Sequence, residues 1–168
     1  EPCLSSMTEA AELLISSFRS GGKLLVCGNG GSAADALHIV GELMKSFVLP
    51  RPLPPNDASQ LLSISPDGTL LASQLQGALP AIALVGETAL QTAYANDAVP
   101  ELCFAQQVYG YGAPADTLLA ISTSGSSATV VYAAETARLK HMHIIALTGA
   151  SGGRLSEIAD CTIAVPAK

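Results

Sequence analysis

Charge is scarce in this sequence. Of 168 residues only 13% are Asp, Glu, Lys or Arg, and eight basic side chains stand against fourteen acidic ones, a formal net charge of −6. That balance leaves no basic patch to neutralise phosphates, so a nucleic-acid partner is excluded. Long apolar runs are also missing, despite a mean hydropathy of +0.40. The longest uncharged stretches are Gly68–Gly86, broken by Pro80 and two Gln, and Thr117–Ala134, which holds seven Ser or Thr. Neither resembles the roughly 20 apolar residues of a membrane span, so no membrane partner is expected. The four cysteines, at 3, 27, 103 and 161, have neither short pairing nor metal-type spacing. They read as reduced, mostly buried small hydrophobes. The first residues, Glu-Pro-Cys-Leu-Ser-Ser, lack a basic region ahead of an apolar one, and a cytoplasmic location is the expectation.

What is present is a core. Apolar residues make up 49% of the chain, which excludes disorder and suits one compact domain over residues 1–168. Met7, Ala10, Ala11, Leu14, Ile15 and Phe18 recur at helical spacing, Ser6-x-x-Glu9 suggests a capping box, and Gly21-Gly22 ends that helix. A unit of apolar run, Gly/Ser turn and helical segment then repeats. Lys23–Cys27 leads into Gly28–Ser32 and a helix to about Phe47. Thr117–Ile121 leads into Ser122–Ser127 and a helix to about Lys140. Ile144–Leu147 leads into Thr148–Gly153 and a short helix around Leu155–Ala159. Ala81–Leu84 and Cys161–Val165 add two further strands. Short continuous apolar strands separated by helices imply an α/β, three-layer α/β/α sandwich around a parallel sheet. Between 49 and 80 the pattern lapses into a Pro-rich stretch, read as a surface insertion within the domain.

Loops that enter helix N-termini at the carboxyl edge of such a sheet bind anions, because unpaired N–H groups and a partial positive charge meet there. Ser122-Thr123-Ser124-Gly125-Ser126-Ser127 sets five hydroxyls in such a turn. That suits a phosphate monoester held without a fixed cation, although Ser and Gly also simply make good turns. Gly28-Asn29-Gly30-Gly31-Ser32-Ala33 fits the dinucleotide fingerprint, but the acidic residue expected about 20 positions on is absent from Phe47–Arg51. A nicotinamide cofactor is therefore the weaker reading, and no Gly-Lys-Ser/Thr ending marks a P-loop.

The next helix carries Asp35, His38, Glu42 and Lys45 on one face, with Leu37, Val40, Met44 and Phe47 on another. Ser32-x-x-Asp35 reads as a variant capping box. His38 and Glu42, one turn apart, suit two metal ligands or an acid and base pair, or else form part of a solvated polar face. His141 and His143 sit at the amino end of a strand, away from this edge. Asn96-Asp97 reads as turn chemistry, and Tyr109–Gly112 as the end of a helix.

Together these runs resemble the sugar isomerase (SIS) domain family, and within it the phosphoheptose isomerases. The matching segments are Cys27–Ser32, Asp35-Ala36-Leu37-His38-x-x-x-Glu42-Leu43, Asn96-Asp97, Ile121-Ser122-Thr123-Ser124-Gly125-x-Ser127 and Leu147-Thr148-Gly149-x-x-Gly152-Gly153. The resemblance implies a parallel five-stranded sheet and interconversion of D-sedoheptulose 7-phosphate with D-glycero-D-manno-heptose 7-phosphate through an enediol. It implies substrate contacts from Asn29, Gly30, Gly31, Asn96 and Asp97. The phosphate would be held by Ser122, Thr123, Ser124 and Ser127, together with Ser32. Glu42 matches the catalytic carboxylate, and His38 and Glu42 match two zinc ligands seen in some members. Family members are commonly homotetramers, and a site assembled between subunits follows. The family also continues past the last strand with a helix bearing Gln and His, which this sequence does not reach before Lys168. Residues 1–168 are therefore expected to show little or no activity by themselves. A noncatalytic phosphosugar-binding or scaffold protein is the other function the resemblance allows.

Overall fold

The computed structural model describes residues 3–166. Helix α1 (Leu4–Arg19) precedes β1 (Leu24–Cys27) and α2 (Gly31–Met44). Then come α3 (Pro55–Ile64), α4 (Gly68–Gln74), β2 (Ala81–Ala83) and α5 (Thr88–Asp97). A 3-10 turn at Pro100–Leu102 leads to α6 (Cys103–Tyr111), β3 (Thr117–Ser122), α7 (Ala128–Leu139), β4 (His143–Gly149), α8 (Leu155–Ile158) and β5 (Cys161–Val165). The five strands form one sheet in the order β2-β1-β3-β4-β5 with every pairing parallel, as the sequence predicts.

Alternation along the strands builds the two faces of this sheet. Leu25, Cys27, Leu118, Ala120, Ile144 and Ala146 face one way, into a core shared with Phe104 and Val108 of α6 and Val130, Val131, Ala134 and Ala137 of α7. On the opposite face Leu24, Val26 and Ile121 meet Ala36, Ile39, Val40 and Leu43 of α2 and Leu14 and Phe18 of α1. All three layers of the expected sandwich are therefore present. The cysteines are free, with Cys27, Cys103 and Cys161 buried. Among the described residues no helix is long and apolar enough to cross a membrane.

Local details depart from the sequence reading. Helix α1 begins at Leu4, so Ser6 lies inside it and turns its hydroxyl back onto Cys3 O at 3.1 Å; there is no side-chain cap. The cap of α2 is Gly30, at φ 56°, with no side-chain cap bond, so the Ser32/Asp35 box does not form. A residue must precede the first turn to cap it, and Ser32 already lies within it. The buried face of α2 is also rotated from the expected one. Ala36, Ile39, Val40 and Leu43 face the sheet, whereas Leu37, Met44 and Phe47 are exposed. Two apolar stripes run along this helix, and the one bearing Ala36, fully buried, lets the backbone approach the sheet closely. The helix also stops at Met44, short of Phe47.

Candidate functional site

In a sheet of order 2-1-3-4-5 the connections leaving β1 and β3 run to opposite sides, which opens a crevice at their carboxyl ends. The two loops the sequence singles out stand at that point. Gly28–Gly30 carries the chain from β1 into α2, and Thr123–Ser127 carries it from β3 into α7. Between them lies a cleft of about 250 Å³ lined by Asn29, Ser32, Ile121, Ser122, Thr123, Ser124 and Ser127.

The serine loop is shaped by close backbone contact. Gly125 has φ +65°, and a Cβ there would lie 2.0 Å from Gly152 O. Thr148–Gly153 packs behind it: Gly149 N–H donates to Thr123 O at 2.9 Å and Leu155 N–H to Gly125 O at 2.9 Å. This second glycine turn thus buttresses the serine loop and does not line the cleft. Within the loop, Ser122 Oγ and Ser124 Oγ lie 3.5 Å apart, and Ser126 N–H donates to Ser124 Oγ at 3.2 Å. Asn29 ties the two loops together, its Nδ2 donating to Ser127 Oγ at 3.0 Å and Thr129 Oγ1 at 2.8 Å. With its amine so used, the Asn29 carbonyl is left as an acceptor. Sequence reasoning missed Thr129, which stands just beyond the serine run. The cleft lining is neutral throughout, a cradle of hydroxyls and helix N-termini suited to an anion.

The other expected residues stand around this cleft or apart from it. Gly30 and Gly31 form the turn and first residue of α2 and are exposed. Asn96 and Asp97 end α5, exposed, with Asn96 Nδ2 donating to Asp97 Oδ1 at 2.7 Å, and they do not line the cleft. His38 and Glu42 lie farther along α2. His38 Nε2 is 3.7 Å from Glu42 Oε1, and Lys45 Nζ is 3.6 Å from Glu42 Oε2. Both separations exceed hydrogen-bond range, so Glu42 Oε2 is buried without a hydrogen-bond partner and meets Lys45 only as a loose ion pair. Among the described residues no group of three or more His, Cys, Asp or Glu is placed to hold a metal. Asp35 is exposed, and His141 and His143 are exposed at the amino end of β4. A larger hollow of about 370 Å³, lined by Phe47, Val48, Arg51, Leu75 and neighbours, lies beyond the end of α2 and carries no cluster of reactive groups.

The SIS domain family model matches residues 4–71 and 68–149. The phosphoheptose isomerase of Rhodospirillum rubrum is 39% identical over 164 residues, covering 98% of this chain and 74% of that protein. That of Thiobacillus denitrificans is 42% identical, covering 95% and 70%. The phosphoheptose isomerase structure from Francisella tularensis superposes with a TM-score of 0.79 at 34% identity, over 99% of this chain and 75% of that one. The enzyme structure from Neisseria gonorrhoeae gives 0.77 at 33% identity, over 98% and 74%.

Proposed function

The chain belongs to the SIS domain family, among the phosphoheptose isomerases, and from that premise we propose the work its residues do. It isomerises D-sedoheptulose 7-phosphate to D-glycero-D-manno-heptose 7-phosphate, moving a proton between C1 and C2. The observation that carries this reading is the Glu42 carboxylate, whose buried Oε2 makes no hydrogen bond and has Lys45 Nζ at 3.6 Å, on the same helix whose first turn lines the hydroxyl cleft.

In this mechanism Ser122, Thr123, Ser124 and Ser127 donate to the phosphate, with Ser32 and the N-termini of α2 and α7 adding dipole and amide contacts. Asn29, Gly30, Gly31, Asn96 and Asp97 are the proposed contacts to the rest of the sugar. Glu42 stands about 15 Å along the helix axis from Ser32 at 1.5 Å per residue, and its side chain leans back toward the N-terminus. An extended seven-carbon sugar phosphate lying along α2 bridges that span. The Glu42 carboxylate takes the proton from C1 of the ketose as O2 gains one, giving an enediol, and returns its proton to C2 as O1 gives one up, so that the hydroxyl proton passes from O1 to O2 and the aldose forms. Glu42 and His38, with Oε1 and Nε2 3.7 Å apart, fit two positions of a metal site. They are the side chains that would hold a zinc ion, whose chemistry there is polarisation of the sugar oxygens.

A homotetramer is part of this proposal, supported by the exposed apolar residues Leu37 and Met44 on α2 and Phe47, Val48 and Leu49 just beyond its end. Light scattering on the full-length protein at micromolar concentration is expected to give four times the subunit mass; a monomer contradicts it. A cytoplasmic location is proposed on the free, buried thiols. The function itself is tested by incubating full-length protein with sedoheptulose 7-phosphate in deuterium oxide. Aldose phosphate carrying solvent deuterium at C2 is expected. Binding without aldose or deuterium incorporation overturns the reading in favour of a noncatalytic sugar-phosphate binder.

A further inference from the structure

Arg51 lies in the run between α2 and α3 and turns its guanidinium back onto the end of α2. Its Nη2 donates to Leu43 O at 2.7 Å, to Glu42 O at 3.3 Å and to Lys45 O. A continuing helix would satisfy Glu42 O with the N–H of Ser46, but that group donates to Gln76 Oε1 at 2.6 Å instead. Arg51 thus takes the place of the missing helical turn at the residue assigned as base. Its own backbone is anchored on both sides. Arg51 N–H donates to Ser46 Oγ at 2.8 Å, and its carbonyl accepts from Gly77 N–H at 2.7 Å. The chain returning to β2 adds a further tie, Leu79 N–H to Leu43 O at 3.0 Å. Arg51 thus meets Glu42 at its main-chain carbonyl, whereas the cation nearest the Glu42 carboxylate is Lys45, its Nζ 3.6 Å from Oε2.

We propose that Arg51 is a positioning residue for the isomerisation: it holds the last turn of α2 helical and so keeps Glu42 facing His38. The stretch from 49 to 80 then serves to clamp the catalytic helix. The inference rests on the reading of Glu42 as base. Last turns fray unless their carbonyls find partners, and a cation there also offsets the partial negative charge of the helix end. Glu42 lies within that turn, whereas Ser32 and His38 lie before it. Loss of the clamp therefore moves the carboxylate and leaves the phosphate cradle in place.

The test is a double-mutant cycle in the full-length protein with R51M, R51K, E42Q and E42Q/R51M, each shown folded by circular dichroism. R51M is expected to lower kcat at least tenfold with KM within twofold of wild type, and R51K to fall between the two. In the E42Q background R51M is expected to change the residual rate by less than twofold, because the residue it positions has already been disabled. A wild-type kcat in R51M, or the same fold-loss in both backgrounds, overturns the proposal while the reading of Glu42 stands. A wild-type rate in E42Q overturns that reading and this one with it. Should R51M not fold, R51K takes its place in the cycle, expected to lose rate in the wild-type background only.

Discussion

Replacing Gly125 with alanine tests the serine loop at the point where its shape is most constrained. The added methyl group would sit 2.0 Å from Gly152 O, 2.5 Å from Gly152 C and 2.9 Å from Gly153 N, all backbone atoms of the buttressing turn. No side chain can rotate away to relieve this, so the two loops must separate. The left-handed φ of +65° costs an alanine about 1–2 kcal/mol, and overpacking of a filled site costs about 1–3 kcal/mol more. The expected destabilisation is therefore about 2–5 kcal/mol, a large share of the roughly 5–15 kcal/mol that holds a domain together. Gly30 supplies the control: a Cβ there meets nothing within 4 Å, so only the conformational cost of its φ 56°, ψ −120° backbone, about 1–3 kcal/mol, applies, without the overpacking. Urea unfolding followed by circular dichroism measures both variants. Calorimetry with sedoheptulose 7-phosphate should show affinity falling at least tenfold in Gly125→Ala, because Ser124 and Ser127, which line the cleft, move with the loop. Equal stability loss in the two variants, with affinity intact in Gly125→Ala, would refute the claim that the buttress shapes the cleft.

Two further predictions concern the scaffold. Asp116, 2% exposed, accepts from Lys23 N–H at 2.9 Å, Ala113 N–H at 2.8 Å and Lys23 Nζ at 2.6 Å, joining the starts of β1 and β3. Asp116→Ala strands those donors and should cost about 3–5 kcal/mol in urea unfolding; a loss below about 1 kcal/mol would contradict the assignment. Burial pushes the Cys27 thiol up to about 12 and, chiefly by the same cause, the Cys161 thiol up to about 11, from an ordinary value of 9.0. The native state then keeps protons that the unfolded chain gives up, so stability falls as pH rises above 9. Removing Cys27 with Cys27→Ala should reduce that fall by about 1.4 kcal/mol per pH unit between roughly pH 10 and 11. An unchanged slope would show that Cys27 does not contribute to it.

The strands are legible in the sequence because parallel, doubly covered strands appear as short apolar runs. Lys23–Cys27, Thr117–Ile121 and Cys161–Val165 in the sequence correspond to Leu24–Cys27, Thr117–Ser122 and Cys161–Val165 in the fold. The serine loop is legible for a related reason, since its composition follows from its place at a strand end. The inward face of α2 is not, because Leu37 and Met44 satisfy helical periodicity as well as Ile39 and Leu43 do. Only packing against β1 and β2 decides between them. The helix caps escape a local reading because Ser6 and Ser32 lie inside the turns that a capping residue would precede. The Asn29–Thr129 tie and the Arg51 clamp join residues through tertiary contacts that no local pattern records.

The central claim, that Glu42 is the base for a sugar phosphate held in the serine cleft, is tested most directly by Glu42→Gln in the full-length protein. The amide preserves shape and removes the proton acceptor. Exchange of solvent deuterium into sedoheptulose 7-phosphate should fall by about 10²-fold or more, the usual scale of general base catalysis, while calorimetric affinity for the sugar phosphate stays within a factor of about two, since Glu42 does not line the cleft. Exchange at the wild-type rate in that variant would contradict the account.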